Sequence, residues 1–353
     1  MPKRSTRVLV LYNEPLLPKD HPDALSEHDI LDTVDDVCNV LKDAGFAVDR
    51  LGVGRDPMAL IRGVKKARPD AVFNLFEGLA DWGETEACAA GVLEWLGVPF
   101  TGCPVQPITL ARNKPLSKYV LLGAGLATPR FQLVESLPMP ANSLGWPVIV
   151  KPSNQDASVG ITQASVVTEQ AALEARVAEM LQAFGPPVLV EEFIAGRELH
   201  VNAVEELDGS LTVLPAMEVV FGNRRPGVWP VYSFDAKWRE DSVEYKSTPL
   251  ETAVKLPPGT TAEIADLTVR VYRLFGCRDF ARIDVRLTTD GRPSVLEVNP
   301  NPFINSIAMS DGFIAIGRKH EQFVADLVRR AILRGGAPQA APLRKPRVKK
   351  TGA

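Results

Sequence analysis

The chain is poor in the residues that carry most metal and redox chemistry: 353 residues include only 4 cysteines and 4 histidines. Cys38, Cys88, Cys103 and Cys277 are scattered and form no C-x-x-C pair. That excludes a disulfide scaffold and suits free thiols in a reducing compartment. His21, His28, His200 and His320 are equally dispersed, so a histidine-based zinc centre is not expected. The N-terminal "MPKRSTRVLVLYNEP" holds too short an apolar run for a signal peptide or membrane span, and a cytoplasmic protein is expected. Nor is there an excess of either charge. Lys and Arg number 40 against 43 Asp and Glu, a net charge of −3, which gives no electrostatic reason for a nucleic-acid partner. No internal repeat is visible.

What remains is an ordinary globular composition, 45% hydrophobic and 24% charged. The length exceeds what one hydrophobic core usually serves, so two or three subdomains are expected. "RVLVLY" and "DAVFNLF" are continuous apolar runs, the mark of strands buried on both faces. Between and after them lie helical patterns: "SEHDILDTVDDVCNVLKDAG", where Ser26 and Asp29 resemble a capping box, then "DPMALIRGVKKA" and "ETEACAAGVLEWLG". Such alternation predicts a parallel, doubly wound sheet across roughly the first hundred residues. From Asn113 the texture changes. A helix ("NKPLSKYVLLGAG") leads to strands "WPVIVKP", "ITQASVV" and "PVLVEEF" around a helix over 168–184, a small α+β lobe. A larger α+β unit follows to about Arg334, and the Pro- and Lys-rich end reads as a disordered basic tail.

The chemistry-bearing pattern lies in "FARIDVRLTTDGRPSVLEVNPNPF". Asp290-Gly291 between two strand-like runs predicts a two-residue hairpin turn. With that turn, Asp284 stands opposite Glu297 and Arg282 opposite Asn299, all on one face. Opposed carboxylates repel, so a positive group belongs between them. Asp, Glu and Asn oxygens are the hard ligands Mg²⁺ prefers where it bridges protein carboxylates to phosphates. A solvated face with an Arg–Asp ion pair is the simpler alternative. Lys151, leaving an apolar strand beside the polar loop "PSNQDASVG", can lie along phosphate oxygens; it equally suits the rim of a surface hairpin. The loop is neither a Walker A sequence nor a G-x-G-x-x-G. Glu191, Phe193, Ile194 and Glu198 alternate apolar and acidic groups at a strand end, which serves either a purine pocket or a solvated strand terminus.

Taken together, "NKPLSKYVLLGAGLATPRF", "VIVKPSNQDASVGIT", "VLVEEFIAGRELHV", the hairpin and the earlier "VFNLFEG" and "GETEACAAGVLEWLGVPFTG" resemble the ATP-grasp superfamily, most closely the D-alanine–D-alanine ligase family. The resemblance runs from about Val8 to about Arg334. It implies an ATP-grasp fold, α/β and α+β, in three subdomains: a doubly wound N-terminal domain (1–107), a central lobe (108–192) and a C-terminal lobe (193–335) before the 336–353 tail. It implies ATP with two Mg²⁺ ions (or Mn²⁺), and small-molecule amino acid or peptide substrates joined through an acyl phosphate. A homodimer is common in the family. By the same resemblance Lys114, Lys151 and Ser158 contact phosphates. Glu191, Phe193 and Ile194 hold the adenine, and Glu198 holds the ribose. Asp284, Glu297 and Asn299 bind metal, Arg282 stabilises the intermediates, and Lys237 in "VYSFDAKW" reaches the γ-phosphate. Glu27 matches the glutamate that binds the first substrate's amine, though an acidic residue also suits a helix N-terminus.

The amino-acid half departs from the family pattern. Gln155, Asp156, Ala157 and Ser158 stand where the family has Glu-Gly-Ser-Ser, Trp238 where it has a loop tyrosine, and Glu77-Gly78 where it has His-Gly. Phe303 takes the place of a glycine whose N–H helps hold the oxyanion. The reaction class stands on the intact half; D-alanine specificity does not. Two further readings share those residues, a nucleotide-binding module without chemistry and a phosphotransferase that stops at phosphorylation.

Overall fold

The computed structural model describes residues 5–16, 24–79, 82–155, 158–222, 227–252, 254–305 and 307–335, with the side chains of 24–27, 29 and 307 outside that description. The expected 336–353 tail, Asp156 and Ala157 also lie outside it. The first unit runs β1 (Arg7–Asn13), α1 (Ala24–Asp43), β2 (Ala47–Val53), α2 (Pro57–Ala67), β3 (Ala71–Leu75) and α3 (Thr85–Leu96). The strands are parallel in the order β2-β1-β3. Helix α1 starts at Ala24, two residues before Ser26, so Ser26 is not its cap. Ala24 and Leu25 are strong helix formers and carry the helix past it.

α4 (Val105–Arg112) and α5 (Lys114–Gly123) lead into the second unit. Asn113 caps α5, its Oδ1 accepting from the Leu116 N–H at 3.0 Å, with Pro115 in the first turn. The cap fixes Lys114 as the first residue of the helix. Next come β4 (Phe131–Val134), β5 (Val148–Pro152), β6 (Val166–Val167), α6 (Gln170–Phe184) and β7 (Val188–Glu192), an antiparallel sheet in the order β4-β7-β5-β6. Leu173, Val177 and Met180 of α6 pack on Val148, Val150, Val188 and Val190. The strand expected over "ITQASVV" is confined to β6. Gln163–Ser165 instead forms a 3-10 turn, closed by reciprocal hydrogen bonds between Thr162 and Ser165, which draws the backbone off the sheet.

The third unit contains β8 (Glu198–Glu205), β9 (Leu211–Val213), β10 (Met217–Val219), α7 (Phe234–Trp238), α8 (Val243–Ser247), β11 (Leu250–Glu251), α9 (Pro258–Phe275), β12 (Phe280–Leu287), β13 (Pro293–Pro300), α10 (Ile307–Ala315) and α11 (His320–Gly335). Its sheet runs β11-β10-β8-β12-β13, with β9 beside β8. α9 covers one face through Leu267, Val271 and Phe275, leaving the other face to the site.

The last helix returns to the first sheet. Leu60, Val64, Ala89 and Leu93 of α2 and α3 cover one face of β1 and β3. The opposite face, Val8, Val10 and Phe73, is shared by Val34 and Leu41 of α1 with Phe323, Leu327 and Val328 of α11. An ionic node fastens this return. Fully buried Asp279 accepts from the Gly102 N–H at 2.8 Å, from Arg330 Nε at 3.1 Å and from Arg334 NH2 at 2.9 Å. Glu205 takes the Asp279 N–H at 3.0 Å and the second arm of Arg330 at 2.5 Å. Among the described residues no helix is long and apolar enough to cross a membrane.

Removing one partner of a buried charge cluster strands the others. Asp279→Ala is therefore expected to cost about 3–5 kcal/mol of stability by urea unfolding. A loss below about 1 kcal/mol would reduce the node to an ordinary surface pair.

Candidate active site

The pairing of β12 with β13 puts Arg282 opposite Asn299 and Asp284 opposite Glu297, as the periodicity anticipated, but by another route. The turn is one residue wider than expected. Thr288 N–H donates to Arg292 O and Gly291 N–H to Thr288 O, both at 2.8 Å, with Gly291 at φ +81°, so Thr289, Asp290 and Gly291 form a three-residue loop. The pairs nearest it, such as Arg286 with Ser294 and Val285 with Val295, are one step out of the anticipated register. A bulge then leaves Leu296 unpaired and restores the register beyond it. Side chains alternate with period two, so without that extra residue Glu297 and Asn299 would face the other side.

β8 completes the face from the other edge of β12. Glu198 lies opposite Arg286, His200 opposite Asp284, and Asn202 opposite Arg282. Arg282 grips Asp284 through both arms, Nε to Oδ1 at 2.7 Å and NH2 to Oδ2 at 2.8 Å. Asn299 Nδ2 donates to the same Oδ2 at 3.1 Å, and Lys114 Nζ stands 3.3 Å from Glu297 Oε2. Burial would raise the Asp284 carboxyl, but Arg282 and His200 overcome it and hold it at about 2. Glu198 is likewise held at about 2, burial being outweighed by Arg286 and His200.

The opposite wall comes from β5 and β7. Glu191, 1% exposed, sits between two ammonium groups, Lys118 at 2.6 Å and Lys151 at 2.7 Å. Lys118 also donates to Thr128 Oγ1 at 2.9 Å, whose hydroxyl donates to Val295 O at 2.8 Å. This chain links the central wall to the hairpin. Burial raises Glu191 and the two lysines lower it, to about 2.

Between the walls lies a cleft of about 960 Å³, open to solvent. Every anticipated site residue with a described side chain lines it: Lys114, Lys151, Ser158, Glu191, Phe193, Ile194, Glu198, Lys237, Arg282, Asp284, Glu297 and Asn299. The Glu27 side chain is outside the described residues. The segment carrying Lys237 is pinned to the second unit: Ser158 Oγ donates to Tyr232 O at 2.9 Å, Phe234 N–H to Ile161 O at 3.1 Å and Trp229 N–H to Gln163 Oε1 at 2.8 Å. Of the positions that depart from the family pattern, Glu77 and Trp238 are exposed, with Lys237 Nζ 5.3 Å from the Trp238 ring. Phe303 is half-buried.

Sequence reasoning missed Lys118, His200, Tyr232 and Arg286, all beside or within the cleft. Three had a legible signal. Lys118 is one helical turn beyond Lys114, and His200 and Arg286 are two residues beyond Glu198 and Asp284 on their strands. Tyr232 had none; burial pushes its hydroxyl up to about 12.

A family model described as "D-ala D-ala ligase C-terminus" matches residues 121–329. The chain is 34% identical over 273 residues to the D-alanine–D-alanine ligase of Bordetella petrii, covering 76% of this chain and 78% of that one. It is 32% identical over 305 residues to the enzyme of the same name from Desulforudis audaxviator, covering 84% and 91%. Its fold matches the crystal structure of D-alanine–D-alanine ligase from Bacillus anthracis complexed with ATP at TM-score 0.73 and 19% identity, over 94% of this chain and 99% of that one.

The lysine-flanked Glu191 predicts an acid limb to stability. Its folded pKa lies below the unfolded value, so its contribution is present at neutral pH. That contribution is lost as pH falls from about 4.5 to about 2. Lys118→Met leaves one lysine against full burial, and the fall should begin at higher pH. Circular dichroism against pH at fixed urea checks this; superimposable acid limbs for the two proteins count against the pairing.

Proposed function

Because the chain belongs to the D-alanine–D-alanine ligase family and is an ATP-dependent carboxylate–amine ligase, we propose that this cleft activates the carboxylate of an amino acid or small peptide. The γ-phosphoryl group of ATP passes to a carboxylate oxygen and ADP leaves. An amine nitrogen then attacks the acyl carbon, inorganic phosphate departs and the nitrogen gives up a proton. What supports the reading is the arrangement of the cleft, in which lysines on one wall face paired carboxylates on the other.

Each residue then has a task set by its position. Lys114 and Lys151 neutralise phosphate oxygens, and Ser158 N–H and Oγ border the same groups. Lys237 approaches the transferred phosphoryl from the opposing segment, and Arg282 steadies charge on the acyl phosphate and tetrahedral carbon. Phe193 and Ile194 flank the base, and Glu198 takes the ribose. Glu191, its carboxylate already held by two lysines, contributes by aiming Lys151 rather than by meeting the base. Glu27 is the proposed partner of the first substrate's amine.

The donor set suits Mg²⁺ in part. Glu297 is 29% exposed with one lysine partner, Asp284 Oδ1 keeps a lone pair beside Arg282, and Asn299 Oδ1 has no hydrogen bond among the described residues. These three residues would hold the ion, which supplies charge neutralisation between phosphates and protein. A second reading, D-alanine dipeptide synthesis itself, is favoured by the names of the relatives and opposed by Phe303 and Trp238 at positions bordering the amino acids.

Phosphate release from Mg·ATP across D- and L-amino acids and small peptides, with mass analysis of products, tests both. A condensed product other than D-alanyl-D-alanine supports the first reading; D-alanyl-D-alanine as the best product supports the second. Phosphate release with no condensed product would falsify the ligase chemistry. Asp284→Asn and Glu297→Gln are each expected to lower kcat by about 10³-fold. Glu297→Gln should keep a melting temperature near that of the parent, while Asp284→Asn should fall below it because Arg282 loses its buried partner. Near-normal turnover in either removes the metal assignment.

A further inference from the structure

Arg286 lies next to the anticipated ribose carboxylate, and no step so far uses it. It is only 4% exposed, yet its guanidinium reaches the end of the cleft bounded by Phe193 and Ile194. Nε and NH2 both donate to Glu198 Oε2, at 3.0 and 2.6 Å. NH2 also donates to Pro230 O at 2.5 Å, and NH1 to Ile194 O at 2.6 Å. The rings of Phe193 and Phe221 lie beside the guanidinium, with centroids 5.3 and 5.2 Å from its carbon. Four of the five N–H groups of an arginine are thereby committed, and the two rings leave it little room to swing.

The three acceptors belong to different segments. Glu198 opens β8, and Ile194 is in the linker between the two lobes. Pro230 is in the stretch that continues into Tyr232 and Lys237. A single rigid fork therefore fastens the base-and-ribose end of the cleft to the arm that carries Lys237. It also divides the Glu198 carboxylate. Oε2 is taken by two N–H groups, while Oε1 has no donor closer than His200 Nε2, at 3.8 Å, among the described residues.

We propose that Arg286 is a positioning residue for the nucleotide: it presents Glu198 Oε1 alone to one ribose hydroxyl and registers the Lys237 arm on the bound base. The inference rests on ATP lying in the cleft as proposed above. A buried ion pair of purely structural value has the same contacts, but it does not care which ribose hydroxyl a ligand carries.

Calorimetric titration of the full chain with Mg·ATP, Mg·2′-deoxyATP and Mg·3′-deoxyATP separates the two. Oε1 has two lone pairs, and with His200 Nε2 standing beside it one acceptor direction is left for a ribose hydroxyl. The parent protein should therefore lose about tenfold in affinity for one deoxynucleotide and less than about threefold for the other. Arg286→Lys keeps a cation opposite Glu198 but cannot span all three acceptors. It should bind ATP about tenfold more weakly, with the deoxynucleotide preference reduced to less than about threefold. Arg286→Met should do the same or more, and if it does not fold the lysine variant decides. Equal losses for both deoxynucleotides in the parent protein, or a lysine variant with parental ATP affinity and preference, overturn the proposal. Lys151→Met and Glu198→Gln are the controls. If they too leave ATP affinity unchanged, the nucleotide lies elsewhere and the parent reading falls; if they weaken it while Arg286→Lys does not, only the role of Arg286 falls.

Discussion

A sheet has two faces, and one unpaired residue decides which of them Glu297 and Asn299 occupy. The extra position at Leu296 offsets the odd-numbered loop at the tip of the hairpin. Between them they leave the apolar residues Val295 and Val298 against α9 and turn the polar ones toward the cleft. The cost of a bulge is local, one lost ladder position, whereas a register error would bury a carboxylate and an amide in the α9 core. The polar row on β13 takes its alignment with those on β12 and β8 from this compensation.

Electrostatic pairing then makes the face tolerable. Six cations, Lys114, Lys118, Lys151, Lys237, Arg282 and Arg286, meet four carboxylates, Glu191, Glu198, Asp284 and Glu297. Glu192 at the rim is held by Arg130. Among the described residues the surplus is positive, which suits a polyphosphate. Because Glu191, Glu198 and Asp284 are held ionised at about 2 by neighbours already in place, little reorganisation is needed when charge moves during the reaction. The same pairing restricts the carboxylates. Both oxygens of Asp284 and one of Glu198 are engaged, so each keeps only part of its capacity for a ligand.

Period-two reasoning placed Arg282, Asp284, Glu297 and Asn299 on one face, and the apolar runs located β1, β3, β5 and β7. Residue type and pairing pointed the hairpin toward Mg²⁺ without setting aside a solvated face; resemblance at ordered segments along the chain assigned the roles. What stayed hidden is what depends on contacts far apart in the chain. Nothing near Leu296 marks a bulge, since its sequence reads as an unbroken strand. The spacing puts Lys118 one turn past Lys114, but its buried seat is made by Thr128 and Val295, far along the chain. Period two likewise puts Arg286 on the face of Asp284, but its place is set by Ile194, Pro230 and Glu198 converging on it. α11 itself went unread, and so did its target, a sheet some three hundred residues earlier.

That target matters for how the molecule comes to be made. During synthesis β1, α1 and β3 emerge first, yet half of one sheet face stays bare until Phe323 and Val328 have been translated. The earliest segment therefore cannot finish folding as an independent unit. It has to wait with Val8, Val10 and Phe73 uncovered while two other sheets assemble, a long-range closure of the kind that slows folding and leaves apolar surface open to misassociation. Completion of the nucleotide cleft and closure of the first domain then become one late event.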